Sequence, residues 1–416
     1  MALSRGMHPL LSHRARTATS SAIRDLLKLT EQPGILSLAG GLPTAASFPT
    51  EEMRAEAMRV LDARGPYGPQ ALQYGRTEGV TELRELLAAR SDADAASVVV
   101  TTGSQQALDL IARCLIDPGD VVVVESPTYI GALQAIRSYQ PAFEPVPGDA
   151  DGLDTDVLAQ RLAAGLRPTM CYVVSNFANP TGATMSLARR RHLLALAREY
   201  GFLIVEDDPY GELRFRGSPV PSIRSLPGAA EHVATTRTVS KTLAPGLRVG
   251  WIALPGWLVD PIVVAKQGVD LHTSTLSQYL ALGLLSDADA QAARVRASAA
   301  RYARQAEALQ TALARHLGDR LELGPIDGGM FLWGRMTNES VDTTDLLRVA
   351  VDHGVAFVPG AAFYVNRPGD DTPVPHTRLR MSFATLPAEQ FDEAARRIAA
   401  ALDGLTATPA RVGASV

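Results

Sequence analysis

Lys241 lies between two stretches that favour burial of its side chain. The preceding stretch, HVATTRTVS, is β-prone and mostly small, and the stretch LRVGWIALP that follows shortly afterwards is apolar. Burial disfavours the charged form of an amine and lowers its pKa, and a neutral amine forms Schiff bases with carbonyl compounds. Lys241 is therefore a candidate for covalent catalysis, although a single lysine is more often a solvated surface residue.

The stretch TTGSQQAL has the residue types of an anion site. It places Gly103, Ser104 and Gln105 where a strand-like run turns into a helix-like run. Unpaired backbone N–H groups at the start of a helix, together with the helix dipole, bind anions such as phosphate. An ordinary serine N-cap is the alternative interpretation.

Acidic and amide side chains follow two other strand-like runs. The stretch FLIVEDDPYGELRF places Asp207 at the end of an apolar run, with Tyr210 three residues later. A buried carboxylate is costly without a positive partner, which a protonated heterocyclic nitrogen could supply; a solvated acidic loop is the alternative. In SNFANPTG, Asn179 precedes a proline and is biased to an extended backbone, from which its amide could bind a ligand. The letters NPTG also suit a plain turn.

The elements that must position these residues alternate along the chain. Strand-like runs occupy 97–103, 120–126, 170–176, 202–208, 232–240 and 251–255, and helix-like runs occupy 104–116, 130–139, parts of 152–165, and 186–201. Buried strands that alternate with helices predict a mostly parallel sheet covered on both faces, with the binding site at the carboxyl ends of the strands.

A second, smaller α/β unit is predicted after residue 285, where a long helical pattern precedes further strand-like and helix-like runs. The predicted fold is thus an α/β three-layer sandwich with a mostly parallel central sheet, plus a smaller C-terminal domain. The predicted divisions are an N-terminal arm at 1–45, a large domain at 46–290, a small domain at 291–404 and a flexible tail at 405–416.

Composition argues against several functional classes. The formal net charge is −4 and the pI is about 6.1, so no basic excess points to nucleic acid or to an anionic membrane. We expect no signal peptide, because no apolar run among the first 24 residues is long enough for one, and no apolar run of about 18 residues suggests a membrane span. Cys114 and Cys171 lack metal-ligand spacing and are expected to be reduced thiols. We expect a cytoplasmic protein that binds no metal, nucleic acid or membrane.

Taken together, these residues suit one kind of cofactor. A phosphate site, a carboxylate, hydrogen-bonding Asn and Tyr side chains and a buried lysine at the strand ends of one sheet are what a phosphorylated pyridine aldehyde requires. Lys241 would hold this aldehyde as an imine. Asp207 would keep the ring nitrogen protonated, so that the ring acts as an electron sink.

At these residues the chain resembles the fold-type I pyridoxal-phosphate aminotransferases of class I and II. Within them it is similar to the 2-aminoadipate/kynurenine aminotransferase group and to the aminotransferase-like domain of MocR regulators. The matching stretches run in the family's order from about residue 21 to 400: SAIRDLLKLTEQPGILSLAGGLP, LQYGRTEGVTELRE, TTGSQQALDL, ESPTYIGAL, SNFANPTG, VEDDPYGELRF, SKTLAPGLRVGW, DGGMFLW, VPGAAF and RLRMSFA.

The resemblance implies which residues act on the ring of pyridoxal 5′-phosphate. It assigns the Schiff base to Lys241 and the contact with the ring nitrogen to Asp207. It assigns hydrogen bonds with the ring hydroxyl oxygen to Tyr210 and Asn179, and stacking on the ring face to Tyr129.

The resemblance also implies contacts with the phosphate and with the substrate. The phosphate residues it implies are Gly103, Ser104, Gln105, Ser240 and Arg248, with Thr238 as a weaker candidate. Tyr74 would reach the phosphate of the partner subunit, which implies a homodimer with shared active sites.

For the substrate, the resemblance implies that Arg380 binds the α-carboxylate and that Asn179 also contacts the substrate. It implies that Gly41 lets the N-terminal arm close over the substrate. Arg378, two residues before Arg380, would share its face of a strand, so the choice of Arg380 depends on the motif. Arg24 matches the position that binds a side-chain carboxylate, with a solvated helix arginine as the alternative.

The implied activity is transfer of the amino group of an L-amino acid to a 2-oxo acid, with 2-oxoglutarate as the expected acceptor. Two departures from the family pattern, Ser175 in place of a proline and the Pro-rich segment before Arg380 with His376, keep a second hypothesis open: a lyase, cyclase or oxidase of specialised metabolism on the same scaffold. A regulatory sensor would need a basic winged-helix segment upstream, and we disfavour it.

Overall fold

The structure is a computed structural model that describes residues 10–12, 15 and 34–407. Arg24 and the helix predicted around 21–30 lie outside these residues. The strands of the described part are β1 (Leu36–Ser37), β2 (Val98–Thr101), β3 (Val121–Ser126), β4 (Ala142–Asp149), β5 (Gly152–Leu153), β6 (Met170–Val174), β7 (Leu203–Asp207), β8 (Val233–Thr238), β9 (Gly250–Ala253), β10 (Leu321–Leu323), β11 (Phe331–Met336), β12 (Val355–Ala356), β13 (Val358–Pro359) and β14 (Arg378–Ser382).

Helices connect most of these strands. The α-helices of the described residues are α1 (Thr50–Leu61), α2 (Gly68–Ala71), α3 (Thr81–Ala89), α4 (Ser104–Leu115), α5 (Ile130–Arg137), α6 (Thr155–Ala163), α7 (Leu187–Tyr200), α8 (Gly256–Gln267), α9 (Thr275–Ser286), α10 (Ala288–Leu317), α11 (Thr343–Asp352) and α12 (Phe391–Ala407).

The large sheet has eight strands in the order β2-β9-β8-β7-β6-β3-β4-β5. The pairs from β8 through β7, β6 and β3 to β4 are parallel, while β9 is antiparallel to both of its neighbours and β5 is antiparallel to β4. The two faces pack into separate hydrophobic clusters: Val122 and Val124 lie with α4 and α5, and Val123 lies with α6 and α7. The predicted three-layer sandwich with a mostly parallel sheet is confirmed.

Strand β4 was not predicted, because its second half contains two prolines that usually mark a loop. Pro145 and Pro147 lie beside the edge of the sheet, where β5 pairs with β4 at Gly148 and Asp149. A proline near an edge can direct its missing N–H away from a neighbouring strand, so the pairing of β4 with β3 survives.

The second unit contains a four-stranded antiparallel sheet in the order β10-β11-β14-β13. Apolar side chains of this sheet and of α10, α11 and α12 belong to one hydrophobic cluster. The N-terminal segment joins this unit, because β1 pairs in parallel with β12 and thereby brings residues 39–41 towards the large sheet. Helix α10 crosses the predicted boundary at 290/291, and α12 continues to Ala407, so the helix extends into the segment that we assigned to the tail. The domain boundaries stay a prediction.

Within the described ranges, no helix is long and apolar enough to cross a membrane. The same residues contain no cluster of three or more His, Cys, Asp or Glu side chains suited to a metal ion.

Candidate active site

Polar side chains converge at the carboxyl edge of the parallel strands. Asp207 ends β7, Lys241 follows β8, and Tyr129 lies between β3 and α5. Burial raises the pKa of the Tyr129 phenol; the charge of Asp207 raises it further, while Arg380 and Arg248 lower it. Asp207, Arg380 and Arg248 are far apart in the sequence, and all three are close enough to Tyr129 to shift the pKa of its phenol.

Asp207 is a buried carboxylate with neutral hydrogen-bond donors. Its Oδ1 accepts a hydrogen bond from the Thr236 hydroxyl at 2.6 Å, and its Oδ2 accepts one from the Tyr172 hydroxyl at 2.8 Å. Burial raises the pKa of Asp207 to about 6, although both hydrogen bonds act to lower it. No described lysine, arginine or histidine forms an ion pair with this carboxylate, so a bound cation would stabilise its charged form.

Tyr172 and Thr236 are site residues that our sequence reasoning missed. Both lie on strands next to β7, and Thr236 is directly paired with Asp207 in the ladder. Tyr172 sits among apolar residues and therefore reads as part of the core. The period of two along β6 and β8 would have identified their faces, but the strand order was needed to bring them to Asp207.

Lys241 has the environment of a reactive amine. Its Nζ donates a hydrogen bond to the Gly41 carbonyl at 2.9 Å. Burial lowers the pKa of this amine to about 8, and the positive charges of Arg380 and Arg248 act in the same direction. A substantial share of the amine is therefore neutral near pH 8, as nucleophilic or general-base chemistry requires.

The first turn of α4 matches the predicted anion site. Gly103 precedes the helix with φ of +83°, and its position supplies no side-chain cap, which leaves the first N–H groups available. A Cβ on Gly250 would lie 2.9 Å from the Ser104 nitrogen, so glycine is needed for this close approach. The Arg248 guanidinium lies against Gly103 and donates to the Thr102 carbonyl at 3.3 Å.

Three other predicted phosphate residues, Thr238, Ser240 and Gln105, are held by hydrogen bonds within the chain. The Thr238 hydroxyl accepts a hydrogen bond from the Ser240 N–H at 3.1 Å and lies 2.9 Å from the Ser240 hydroxyl, so Thr238 orients Ser240. The Gln105 side chain donates to the Gly131 carbonyl of α5 at 2.8 Å. The carboxamide nitrogen of Gln105 thus ties two helices together, which leaves its backbone N–H for an anion.

Arg380 is a buried cation with an incomplete set of partners. Its two terminal nitrogens donate to Asn179 Oδ1 at 2.9 Å and to the Ala39 carbonyl at 2.7 Å, while its Nε has no partner. The guanidinium carbon lies 4.2 Å from the centroid of the Phe331 ring and 5.2 Å from that of Phe363. Burial lowers the pKa of Arg380 to about 10. No acidic group of the described residues pairs with it, so a substrate carboxylate would complete the site.

The neighbouring contacts favour Arg380 over Arg378 as the carboxylate-binding residue. Both lie on β14, but Arg380 is 3% exposed and bonds to Asn179, whereas Arg378 is partly exposed. Tyr210 packs edge-to-face against Phe331, with ring centroids 6.0 Å apart. Burial raises the pKa of the Tyr210 phenol well above its usual range.

Tyr74, which we predict to reach the phosphate of the partner subunit, lies at the surface of this chain. Tyr74 is 79% exposed, with its ring edge-to-face against His272 at a centroid distance of 5.8 Å. Arg24 lies outside the described residues. Gly41, by contrast, is in place: its carbonyl holds the Lys241 amine, and a Cβ on it would lie 3.0 Å from Phe331.

The two sequence departures have different surroundings. Ser175 is fully buried, and its carbonyl accepts a hydrogen bond from the Arg190 guanidinium at 2.6 Å, which holds the start of the loop that leads to Asn179. His376 is exposed, and its Nε2 lies 2.9 Å from the Glu339 carbonyl.

These groups match pyridoxal 5′-phosphate at three points. The N-terminus of α4, which has no side-chain cap and lies beside Arg248, suits a phosphate. Asp207, which has no ion-pair partner in the described part of the chain, suits a protonated pyridine nitrogen, and the lowered pKa of Lys241 suits attack on an aldehyde. A fold of this kind with these groups at its strand ends defines an enzyme that binds a phosphorylated pyridine aldehyde.

Comparison with known proteins agrees with this assignment. The family described as Aminotransferase class I and II matches residues 33–398. Aromatic-amino-acid aminotransferase 1 of Thermococcus litoralis is 40% identical over 400 residues, which cover 93% of each chain. The 2-aminoadipate transaminase of Thermus thermophilus is 40% identical over 390 residues, which cover 93% of this chain and 95% of the relative.

Solved structures give the same result. The kynurenine aminotransferase of Pyrococcus horikoshii, a complex with PMP, superposes with a TM-score of 0.89 at 36% identity and covers 96% of this chain and 98% of its own. The α-aminoadipate aminotransferase LysN of Thermus thermophilus, bound to N-(5′-phosphopyridoxyl)-L-leucine, gives 0.87 at 38% identity, with 95% and 98% covered. The chain belongs to the class I and II aminotransferases, and it is a pyridoxal 5′-phosphate-dependent enzyme that transaminates amino acids.

Proposed function

We propose that this enzyme moves the α-amino group of an L-amino acid to a 2-oxo acid, with 2-oxoglutarate as the acceptor, and that Lys241 and Arg380 carry the reaction. The observation that supports this most strongly is their juxtaposition. The charge of Arg380 helps to lower the pKa of Lys241 to about 8, after the larger effect of burial, and Arg380 has no acidic partner among the described residues.

In this proposal each residue has one task. When bound, pyridoxal 5′-phosphate supplies an aldehyde that condenses with amines and a ring that withdraws electrons from the Cα–H bond of the amino acid. Arg380 binds the α-carboxylate and fixes the direction of that bond. Lys241 would accept the Cα proton at Nζ and, as an ammonium group, would deliver it to the carbon that carries the cofactor's aldehyde.

The surrounding residues prepare the site for this proton transfer. Asp207 would pair its negative charge with a protonated ring nitrogen, and Tyr172 and Thr236 hold its two oxygens. Asn179 accepts a hydrogen bond from Arg380 and, with Tyr210, is assigned to the ring hydroxyl oxygen. The Gly41 carbonyl accepts a hydrogen bond from the Lys241 amine and directs it, and Tyr129 would stack on the ring of the bound cofactor.

The proposal includes a homodimer with shared active sites in the cytoplasm. Tyr74 is 79% exposed and its ring contacts His272; Leu72 and Leu271, close to these two residues in the sequence, are exposed apolar side chains, which suits a surface covered by a second copy. The cysteines Cys114 and Cys171 are unpaired, as in most cytoplasmic proteins. Arg24 keeps its predicted role as a reader of a side-chain carboxylate.

The test is product analysis with a panel of L-amino acids and 2-oxoglutarate. We expect one molecule of L-glutamate for each molecule of 2-oxo acid formed from the donor. Lys241→Ala serves as the control for uncatalysed exchange. Consumption of the donor without matching L-glutamate would instead favour elimination, cyclisation or oxidation and would contradict the proposal.

A further inference from the structure

An ion pair between a fully buried lysine and a partly exposed aspartate lies directly behind the turn that we assign to the cofactor phosphate. Lys266, in the last turn of α8, is 0% exposed, and its Nζ lies 2.8 Å from Asp270 Oδ1. The same amine donates to Gln106 Oε1 at 3.0 Å and to the Thr273 hydroxyl at 3.2 Å. All three of its protons therefore have acceptors, and no proton is left for a ligand.

This cluster of four side chains (Lys266, Asp270, Gln106 and Thr273) grips a single residue of the phosphate turn, Thr102. Gln106 Oε1 accepts the Thr102 N–H at 2.7 Å, and Asp270 Oδ2 accepts the Thr102 hydroxyl at 2.8 Å. The Thr273 hydroxyl lies 3.2 Å from the Thr102 hydroxyl. The carbonyl of Thr102, on its other side, accepts from Arg248.

The position of Thr102 makes this grip relevant to cofactor binding. Thr102 immediately precedes Gly103, whose φ of +83° starts α4 and sets the direction of its first N–H groups. Each polar group of Thr102 is bonded, to the cluster or to Arg248. The orientation of the phosphate-binding N–H groups thus depends on contacts that lie outside the site itself.

The charges of the cluster matter as much as its hydrogen bonds. Asp270 carries a carboxylate towards the turn that is assigned to a phosphate, and a bare carboxylate there would repel a phosphate dianion. The Lys266 ammonium bonds to both oxygens of that carboxylate, at 2.8 and 3.0 Å. Lys266 therefore cancels a charge that would otherwise oppose the ligand.

We propose that Lys266 is a positioning residue for the cofactor phosphate: it neutralises Asp270 and, with Gln106, holds Thr102 so that the first turn of α4 faces the phosphate. This inference rests on the proposed placement of the phosphate at α4. The three protons of the Lys266 ammonium are bonded within the cluster, so Lys266 acts on the phosphate through Thr102 and Asp270.

The experiment compares two ligands that differ in the phosphate alone. The full-length protein, stripped of cofactor, is titrated with pyridoxal 5′-phosphate and, separately, with pyridoxal. For Lys266→Met we expect the affinity for pyridoxal 5′-phosphate to fall about tenfold, equivalent to about 1.4 kcal/mol, and that for pyridoxal to change less than about twofold. Equal losses for the two ligands, or no loss for either, would overturn the proposal.

Two further variants keep the test decisive if Lys266→Met folds poorly. The double variant Lys266→Met/Asp270→Asn removes both charges, and we expect its ratio of the two affinities to return to within about threefold of the parent. A ratio as low as that of the single variant would contradict the neutralising role. Arg224→Met, which removes another buried cation that bonds to the Val233 and Leu254 carbonyls, is the matched control and should leave the ratio unchanged.

Arg248→Ala separates failure of this inference from failure of the proposed function. If the phosphate binds at α4, Arg248→Ala must weaken pyridoxal 5′-phosphate more than pyridoxal. A phosphate-specific loss in Arg248→Ala but not in Lys266→Met would overturn the inference alone. A loss in neither variant would overturn the placement of the phosphate itself.

Discussion

Two adjacent carboxylates at the end of β7 lie on opposite faces of the large sheet, and within the described residues only one of them has an arginine nearby. Glu206 points to the α6/α7 face, where it accepts hydrogen bonds from the Ile223 and Arg224 N–H groups and lies 3.7 Å from the Arg190 guanidinium. Asp207, the next residue, points to the α4/α5 face and accepts hydrogen bonds from neutral hydroxyls.

The same contrast separates two buried arginines. Arg190 donates to four backbone carbonyls and to Asn176 and has Glu206 nearby. Arg380 has an unpartnered Nε and no acidic neighbour among the described residues. Glu206 and Arg190 balance each other within the chain, whereas we propose that the cofactor pairs with Asp207 and the substrate with Arg380. Of these two arginines, the one without a described acidic neighbour is the one that we assign to a ligand.

The largest expected effect comes from removing the amine on the incomplete face. Lys241→Ala should lower the transamination rate by about 10⁴-fold, because the base at Nζ is lost, while the melting temperature stays close to that of the parent. Steady-state kinetics and thermal unfolding measure both quantities. A Lys241→Ala variant that transaminates at the parental rate would show that the face with Lys241 does not carry the reaction.

The two adjacent carboxylates provide a matched pair of variants. Asp207→Asn should lower kcat/KM by about 10²- to 10³-fold, because a charge that acts on the reaction is removed. Glu206→Gln should leave Arg190 without its counter-charge and cost about 3 kcal/mol or more of unfolding free energy. Kinetics and denaturant unfolding of both variants test the assignment, and exchanged phenotypes would refute it.

The two arginines sharpen the comparison for the substrate. Arg380→Met should lower kcat/KM by about 10²-fold, since a buried charge-assisted contact with the α-carboxylate is lost, and should cost little stability. Arg190→Met should instead lower the free energy of unfolding by about 3–5 kcal/mol. A primary amine that lacks a carboxylate should react equally with Arg380→Met and the parent; a large loss for that amine would show that Arg380 does not read the carboxylate.

The smallest expected effect concerns pH. The pKa of Asp207 is raised by burial to about 6 in the folded chain, so the folded state binds a proton that the unfolded state has lost between about pH 4 and pH 6. The stability of the cofactor-free protein should therefore decrease as the pH rises through this window, and Asp207→Asn should make that decrease smaller. Glu125, whose pKa burial raises to about 7, contributes the remainder. Thermal unfolding of both proteins from pH 4 to pH 7 measures it, and identical pH profiles would contradict the burial of a charged Asp207.

Much of the fold could be read from the sequence, because strands such as β6 and β7 are short apolar runs whose polar ends stand out. Lys241, Asp207 and Asn179 were accessible for the same reason. Tyr172 and Thr236 were not, since their contact with Asp207 depends on which strands are neighbours. Lys266 and Asp270 were missed because a Lys–Asp pair four residues apart is typical of a solvated helix face.

The most direct test of this account is to reduce the holoenzyme with borohydride and map the peptide that retains the cofactor. The lysines of the chain are Lys28, Lys241 and Lys266, so the result is unambiguous. The account predicts the cofactor mass on Lys241 and on neither of the other two. A label on Lys28 or Lys266, or an unlabelled protein that still transaminates, would contradict the central claim that Lys241 carries the reaction.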